Sequence, residues 1–391
     1  MKIKVTPEDF VVRELARLPL REKGPYRLYL LEKKGWNTVD LLMRLAREHG
    51  LPYRLFAYGG KKDRHAHTFQ YITVRHTADL SVEGPNFSLR SIGYLDRPMG
   101  PDLLEGNAFT ITLRALQNEE VSHIRHRAEE VRGFGFPNYF DDQRFGSMDR
   151  ERGFLAERLL KGHYKGSLEI YLTAIYPEEK KEAKERKRFF RQHWGDWEAC
   201  LTAAKTGREK SIFALLAQKP KAYVEALQLI PGEELSLFFA AYQSFLWNEL
   251  LRKILLDLQL DLVAVPGVAG PYLFYRRLER KELSYLKSLV LPLAAGRMSF
   301  AETRSERLFA AILEERGIKR SDFNLRKLRQ AFFRSTPREA VVFPQDLHLS
   351  AAEPDELYPG KQKMSLSFRL PRGSYGTMLI KRLTLPSAGT T

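Results

Sequence analysis

Apolar and polar residues alternate near both ends of the chain, a period of two that is typical of β-strands. A helical pattern interrupts them from Asn37-Thr38, where Leu41, Leu42 and Leu45 repeat at the spacing of one helix face. The two chain ends are therefore predicted to form an α+β domain, a sheet with helices packed on it. The predicted strands cover residues 3–15, 26–35, 68–76, 107–114, 341–350, 363–370 and 377–385.

Helical patterns dominate between about residue 147 and about residue 340. The segment 235–255 follows Pro231-Gly232 and is apolar on most faces, which predicts a buried helix. The simplest organisation is one sheet domain made of residues 1–149 and 341–391, with a more helical domain inserted at 150–340.

The charge of the chain indicates what it binds. It contains 64 Lys and Arg and 48 Asp and Glu, which gives a net charge of +16. Such an excess indicates a polyanionic partner. In residues 178–192 acidic and basic side chains alternate, which favours a solvated helix with internal ion pairs. Residues 319–338 carry seven basic side chains and one acidic side chain, interleaved with Phe323, Phe332 and Phe333. These phenylalanines either stack on nucleic-acid bases or form the core face of an amphipathic helix.

Several classes of protein are excluded by composition. The single cysteine, Cys200, cannot form an internal disulfide, and no Cys/His cluster has zinc-finger spacing. The longest apolar stretch, 254–270, is interrupted by Asp and Pro and falls short of the ~18 apolar residues of a membrane helix. The first ten residues lack the apolar core of a secretory signal. We therefore expect a cytoplasmic protein without a membrane partner.

The segment 58–70, YGGKKDRHAHTFQ, is the strongest candidate for chemistry. Gly59-Gly60 permits a tight turn, and Asp63 follows with Lys61, Lys62 and Arg64 as neighbours. Surrounding positive charge keeps a carboxylate ionised, as nucleophilic or base chemistry on an RNA-bound substrate requires. The alternative is a surface β-turn with a local salt bridge. The full phosphate-loop pattern G-x-x-x-x-G-K-[ST] is absent.

Residues 60–70 resemble the signature G-x-K-D-[RK]-x-A-x-T-x-Q of the TruD family of tRNA pseudouridine synthases. Six further blocks resemble motifs of the same family and occur in the same order. Together the seven blocks extend over nearly the whole chain. The six are residues 7–14, 33–38, 106–114, 137–146, 243–248 and 370–377.

The resemblance implies a pseudouridine synthase catalytic domain, with a mixed and largely antiparallel sheet, carrying the family's inserted domain. It implies isomerisation of a uridine in tRNA, with position 13 as first choice, and no metal or cofactor. Asp63 would be the catalytic carboxylate, attacking the ribose or uracil or removing a ribose proton. Lys4 would pair with Asp63, Phe140 would stack on the target base, and Asn138 would orient its loop.

The implied partner is tRNA, bound through phosphates, and a monomer is the default expectation. Three alternatives stay open at this point: another tRNA position or another RNA, a non-catalytic RNA-binding protein, and an RNA methyltransferase. The last would need a glycine-rich loop after an early strand, which the sequence lacks. The expected phosphate contacts are Lys62, Arg64, Arg114, Arg144, Arg326, Lys327 and Arg329.

Overall fold

The computed structural model describes residues 1–76 and 78–386, so residues 387–391, the end of the predicted sheet domain, lie outside the described residues. The chain divides into two compact units. Unit 1 combines Met1–Phe136 with the chain from Val342 onward, and unit 2 is Pro137–Val341. The predicted domain boundaries were after residues 149 and 340, whereas the two units change after residues 136 and 341.

The described strands are β1 (Phe10–Ala16), β2 (Tyr26–Lys33), β3 (Phe56–Tyr58), β4 (His67–Val74), β5 (Val82–Gly84), β6 (Phe87–Leu95), β7 (Leu104–Leu116), β8 (Phe136–Pro137), β9 (Leu262–Val265), β10 (Tyr272–Tyr275), β11 (Val290–Pro292), β12 (Pro337–Glu339), β13 (Val341–Val342), β14 (Gln345–Leu349), β15 (Glu353–Pro354) and β16 (Gln362–Pro371). Unit 1 is built on a ten-stranded sheet, in the order β14-β16-β7-β1-β4-β2-β6-β5, with β15 beside β16 and β3 beside β4. Among the described pairs only β1 and β4 run parallel, which confirms the predicted mixed, largely antiparallel sheet.

The described helices are divided so that three belong to unit 1 and the rest to unit 2. None of them is both long enough and apolar enough to cross a membrane. They are α1 (Thr38–Glu48), α2 (Asn118–Phe134), α3 (Leu155–Leu160), α4 (Tyr164–Thr173), α5 (Lys181–Gln192), α6 (Trp197–Ala203), α7 (Gly207–Gln218), α8 (Tyr223–Gln228), α9 (Gly232–Asp257), α10 (Arg280–Ser288), α11 (Thr303–Glu315) and α12 (Gly376–Leu383).

Helix α1 covers one face of the sheet over β2, β4 and β6. Its Leu42 and Leu45 are fully buried in one cluster with Leu31, Ile72 and Leu89 from those strands. The predicted helix start is confirmed, because the Asn37 side chain accepts a hydrogen bond from the Val39 N–H at 3.2 Å.

The predicted strand at 377–385 is wrong, because the segment forms helix α12. Leu379 and Leu383, four positions apart, are both buried, as on one face of a helix. At the start of the helix, a Cβ on Gly376 would lie 3.0 Å from the Phe109 ring of β7. A short apolar run does not by its periodicity distinguish a strand from a buried helix.

Unit 2 contains helices α3–α11 around α9, which is buried along most of its 26 residues, as predicted for 235–255. The alternative interpretation of residues 319–338 as an amphipathic helix is wrong. Only a 3₁₀ turn at Arg320–Phe323 forms before β12 begins. The buried side chains of Phe323, Leu328, Ala331 and Phe333 are spaced five, three and two apart, which matches no helical period.

Candidate active site

The candidate active site in unit 1 is a loop at the end of the β3–β4 pair. β3 pairs with the last residues of β4, from Phe56 opposite Val74 to Tyr58 opposite Ile72. The chain between them, 59–66, forms the loop that carries Asp63, and we call it the Asp63 loop. Gly59 is required by close approach, since a Cβ there would lie 2.6 Å from the Leu104 side chain.

Asp63 is held as a carboxylate by hydrogen-bond donors on both oxygens. The Lys4 ammonium donates to Oδ2, and the His65 N–H donates to Oδ1 at 3.0 Å. Burial alone raises the pKa of Asp63, but the Lys4 hydrogen bond and charge and the His65 N–H outweigh it, so the pKa is lowered. The side chains of Asp63 and Lys4 keep 17% and 23% of their surfaces exposed, which leaves the ion pair accessible.

Lys4 reaches Asp63 from a strained backbone. Its φ is +56°, in the left-handed region that residues with a Cβ seldom adopt. Two residues earlier, Lys2 forms a backbone bridge with Arg114. The Lys4 ammonium also lies 4.3 Å from the centre of the Phe10 ring. Backbone strain of this kind is concentrated at functional positions, which supports a functional role for the pair.

Lys33 supports the Asp63 loop from the protein interior, a role that was not predicted from the sequence. Its side chain is fully buried at the end of β2, and its ammonium donates to the carbonyls of Trp36 (2.8 Å), Asp63 (3.0 Å) and Lys62 (3.4 Å). Burial lowers the pKa of Lys33 to about 8, although the charge of Asp63 opposes that shift. The sequence signal was its place as the first residue of the motif block 33–38.

Lys62, one of the expected phosphate contacts, instead faces the protein interior. Its ammonium lies 2.6 Å from Oε1 of Glu14, whose side chain is fully buried. Burial raises the pKa of Glu14, and Lys62 opposes that shift. The backbone of the loop is fixed further by Thr38, whose hydroxyl accepts the Lys62 N–H at 3.0 Å and donates to Gln70 at 2.8 Å. The expectation that Lys62 contacts phosphate is therefore corrected. Lys62 instead fixes the Asp63 loop to the protein interior.

Arg114 also requires correction, because it is buried. Its guanidinium donates to Asp9 at 2.8 Å and to Asp355 and Glu356 at 3.0 Å each. Only 9% of the side chain is exposed, and three carboxylates already surround it. Arg114 therefore acts as a structural cation of unit 1.

In unit 2, helix α9 fixes the position of Phe140. The side chain of Asn248 accepts the Phe140 N–H and donates to the Phe140 carbonyl, both at 2.9 Å. One turn earlier, the Ser244 hydroxyl accepts from Arg144 at 3.1 Å. Trp247 contacts the Phe140 ring edge-on at 5.6 Å. These roles of Ser244, Trp247 and Asn248 were not predicted from the sequence. Polar residues inside an apolar helix do indicate buried hydrogen bonds, because a buried polar group needs a partner.

Arg338 covers the Phe140 ring and was not predicted as a site residue. Its guanidinium carbon lies 3.9 Å from the ring centre, and its Nη2 donates to the backbone and side-chain oxygens of Asn138. The Asn138 amide in turn donates to the Glu339 carbonyl at 2.9 Å. The Phe140 ring itself is 6% exposed. Asn138 thus orients the segment, and the flat Arg338 guanidinium lies against the aromatic ring.

The remaining expected phosphate contacts keep accessible charge. Arg64 is exposed and donates through Nε to the Gly35 carbonyl at 3.2 Å. Arg144 is half-buried beside Phe140, with 5.7 Å from its guanidinium carbon to the ring centre. Arg326, Lys327 and Arg329 are exposed on unit 2. Within 1–76 and 78–386 no group of three or more His, Cys, Asp or Glu side chains could hold a metal ion.

Comparison with known proteins decides the family. The family model of tRNA pseudouridine synthase D (TruD) matches residues 1–267 and 276–383. The chain belongs to the TruD family. The predicted resemblance is therefore confirmed, and with it the class of enzyme, a pseudouridine synthase and hence an isomerase.

Related TruD proteins match over almost their full length. The tRNA pseudouridine synthase D of Leptospira interrogans is 34% identical over 98% of this chain and 96% of its own. That of Aquifex aeolicus is 27% identical over 98% of both chains. The crystal structure of a TruD protein from Methanosarcina mazei aligns with a TM-score of 0.71 at 25% identity, covering 98% of this chain and 93% of the other. The predicted fold class is thus confirmed.

Proposed function

We propose that this chain converts a specific uridine of tRNA to pseudouridine, with Asp63 as the catalytic carboxylate. The observation that carries the proposal is the paired and accessible Asp63 on a loop fixed from the interior. A surface turn with a local salt bridge would not need a buried lysine beneath it or a strained lysine bound to it.

The reaction is an isomerisation that needs a reactive carboxylate near the ribose and the base. The N1–C1′ bond breaks, the uracil turns, and a C5–C1′ bond forms, while the C5 proton leaves and N1 gains a proton. Asp63, held ionised by Lys4, would attack C1′ or C6, or remove a ribose proton. Each route uses the same ionised state of Asp63.

The target nucleotide must leave its stack before an enzyme can act on it, at a cost of a few kcal/mol. We assign Phe140 to stacking on the extruded base, which returns about 1–3 kcal/mol. Because the ring is 6% exposed and the Arg338 guanidinium lies against it, the base reaches the ring only after Arg338 has moved aside. Asn138 and Asn248 would hold the Phe140 ring in place.

Position 13 of tRNA is our proposed target, on the resemblance of the matched motifs. Arg64, Arg144, Arg326, Lys327 and Arg329 are the proposed phosphate contacts, because their charges remain accessible. Affinity for tRNA should therefore fall steeply with salt.

Tritium release from tRNA labelled at uridine C5 tests the proposal. We expect release by the wild type and by Asp102→Asn, a matched change at an exposed carboxylate, but none by Asp63→Asn. A transcript with cytidine at position 13 should release no more than background. Release by Asp63→Asn would overturn the site. Binding of tRNA without any release by the wild type would favour the non-catalytic alternative.

A further inference from the structure

A segment of unit 2 without helix or strand, residues 324–336, is firmly attached along its inner side. We call it the basic loop. The Phe333 ring stacks on Phe239, with 4.4 Å between ring centres and planes 9° apart. The Gln243 side chain donates to the Arg334 carbonyl at 3.0 Å, and that of Gln228 donates to the Lys327 carbonyl at 2.9 Å. The loop therefore presents its outer side chains from a fixed backbone.

The outer side of the basic loop carries an exposed aromatic ring. Phe332 is 73% exposed, more than any other large apolar side chain that the structure describes. Its neighbour Phe333 is 6% exposed, so adjacent phenylalanines have opposite roles. A single exposed apolar side chain is common on protein surfaces, so the Phe332 ring indicates a binding role only together with the cations around it.

Cations without carboxylate partners accompany the exposed ring. Arg326, Lys327, Arg329 and Arg334 are all exposed, and no described Asp or Glu forms an ion pair with any of them. Lys327 instead lies 5.2 Å from the centre of the Tyr164 ring. The charge of the basic loop is therefore available to an external anion.

Helix α5 provides the contrast within the same unit. It is also rich in basic residues, but Arg186 pairs with Glu209 at 3.0 Å and Arg191 pairs with Glu151 at 2.7 Å, while Lys187 binds Glu179. These three charges are paired with carboxylates of the protein. Within residues 1–76 and 78–386, Phe332 is the one phenylalanine among the exposed large apolar side chains, so the basic loop combines unpaired charge with an exposed ring.

We propose that the basic loop binds an unpaired nucleotide of the RNA substrate, separate from the target uridine. Phe332 stacks on its base, and Arg326, Lys327 and Arg329 contact the adjoining phosphates. Aromatic rings among cations are the usual means of holding single-stranded RNA, because every base has a stacking face. A base-paired stem would offer the phosphates but no face for Phe332. This inference rests on the proposed tRNA substrate.

Binding measured in the Asp63→Asn background, where no turnover intervenes, tests the stacking. We expect Phe332→Ala to raise the Kd for a tRNA transcript by about 5- to 100-fold. Phe332→Trp should keep the affinity, and its fluorescence should be quenched when tRNA binds. Leu256→Ala, a matched truncation at a 56% exposed side chain of unit 2, should leave the Kd unchanged. Melting temperatures of all these variants should match, because the replaced side chains are exposed.

A second probe separates an unpaired nucleotide from a helical stem. The penalty of Phe332→Ala should appear with single-stranded oligouridine and be absent with a blunt RNA duplex. Replacing Arg326, Lys327 and Arg329 by Gln should lower the slope of log Kd against log salt by about 2, unlike the same change at Arg280, Lys281 and Lys287 of α10. Equal penalties on both probes, or an unchanged Kd in Phe332→Ala, would overturn the proposal.

The two proposals fail separately. If the wild type releases no tritium but Phe332→Ala still weakens tRNA binding, nucleotide binding by the basic loop is supported and the proposed reaction is overturned. If the wild type releases tritium and Phe332→Ala binds tRNA as the wild type does, the proposed reaction is supported and nucleotide binding by the basic loop is overturned.

Discussion

Two lysines bind Asp63, one at its side chain and the other at its backbone. Lys4 binds the carboxylate and fixes its charge, whereas Lys33 binds the carbonyl of the same residue and fixes its position. Lys33 is fully buried, and its ammonium donates its three N–H groups to three backbone carbonyls. A buried ammonium is costly, so this arrangement is expected where the position of the loop matters more than stability.

Replacing Lys33 by Met keeps the aliphatic stem and removes the three hydrogen bonds. We expect kcat for pseudouridine formation to fall by about ten- to hundredfold, because small displacements of a reacting group are costly. KM should change little, since Lys33 has no exposed surface to contact RNA. Lys34→Met is the matched control, because Lys34 is a neighbouring lysine paired with the exposed Glu8.

The pH dependence of stability checks the same residue. Because the pKa of Lys33 falls from 10.5 to about 8 on folding, the unfolded chain binds more protons between those values. The free energy of unfolding of the wild type should therefore rise relative to Lys33→Met across that range, by about 3 kcal/mol. Wild-type activity should decline above pH 8, since a neutral amine has two donors for three carbonyls. A pH-independent stability difference in urea unfolding would contradict this assignment.

Helix α9 is the element that organises the surroundings of Phe140. Ser244, Trp247 and Asn248 are spaced at three and four positions, so they share one face of the helix. That face contacts Arg144, the Phe140 ring and the Phe140 backbone. A single buried helix thus fixes three contacts of one irregular segment.

Asn248→Ala should remove the support of that segment. The buried N–H and carbonyl of Phe140 would lose their partner, which we expect to lower the free energy of unfolding by about 2–4 kcal/mol. Turnover should fall as well, if Phe140 stacks on the target base. Ser236→Ala, at an exposed position of the same helix, should change stability by less than about 0.5 kcal/mol. Urea unfolding and tritium release measure both quantities, and equal behaviour of the two variants would argue against the role of Asn248.

Helix α1 could be predicted from its period and its Asn37 cap, and the buried part of α9 from its apolar run after Pro231-Gly232. The type of sheet was predicted from the resemblance to the TruD family. Asp63 was found through its motif and charged neighbours. Lys33 begins the motif block 33–38, but its role could not be predicted, because its hydrogen-bond acceptors are backbone carbonyls, which no sequence pattern marks. Helix α12 was missed because its apolar run is short. Arg114 and Lys62 were read as exposed, because their carboxylate partners are distant along the chain.

The fold of unit 1 depends on contacts between the two ends of the chain. Arg114 on β7 joins Asp9 near the start to Asp355 near the end, across 105 and 241 positions. Lys2 pairs with the same residue through the backbone, which aligns the segment that carries Lys4. The position of the Asp63 partner is therefore coupled to the closure of the whole unit.

Arg114→Gln should separate a structural role from RNA binding. We expect the free energy of unfolding to fall by about 3–5 kcal/mol, because Asp9 and Asp355 would remain buried without a cation. The salt dependence of tRNA binding should stay unchanged. Arg64→Gln, at an exposed guanidinium, should do the reverse, lowering the log–log salt slope by about 0.7–0.9 with little effect on stability. If Arg114→Gln changed the slope of log Kd against log salt, the original expectation that Arg114 contacts phosphate would be supported.

The pairing of β7 with β16 also determines when this protein can mature on the ribosome. β7 ends at Leu116, and its partner strand begins only at Gln362. At ~5–20 residues per second, the intervening chain takes on the order of 10–50 s to synthesise. During that time the edge of β7 has no partner strand and can recruit foreign strands. Nascent chains that stall between the two strands should therefore be strong clients of ribosome-associated chaperones, and those extended past β16 should no longer need them.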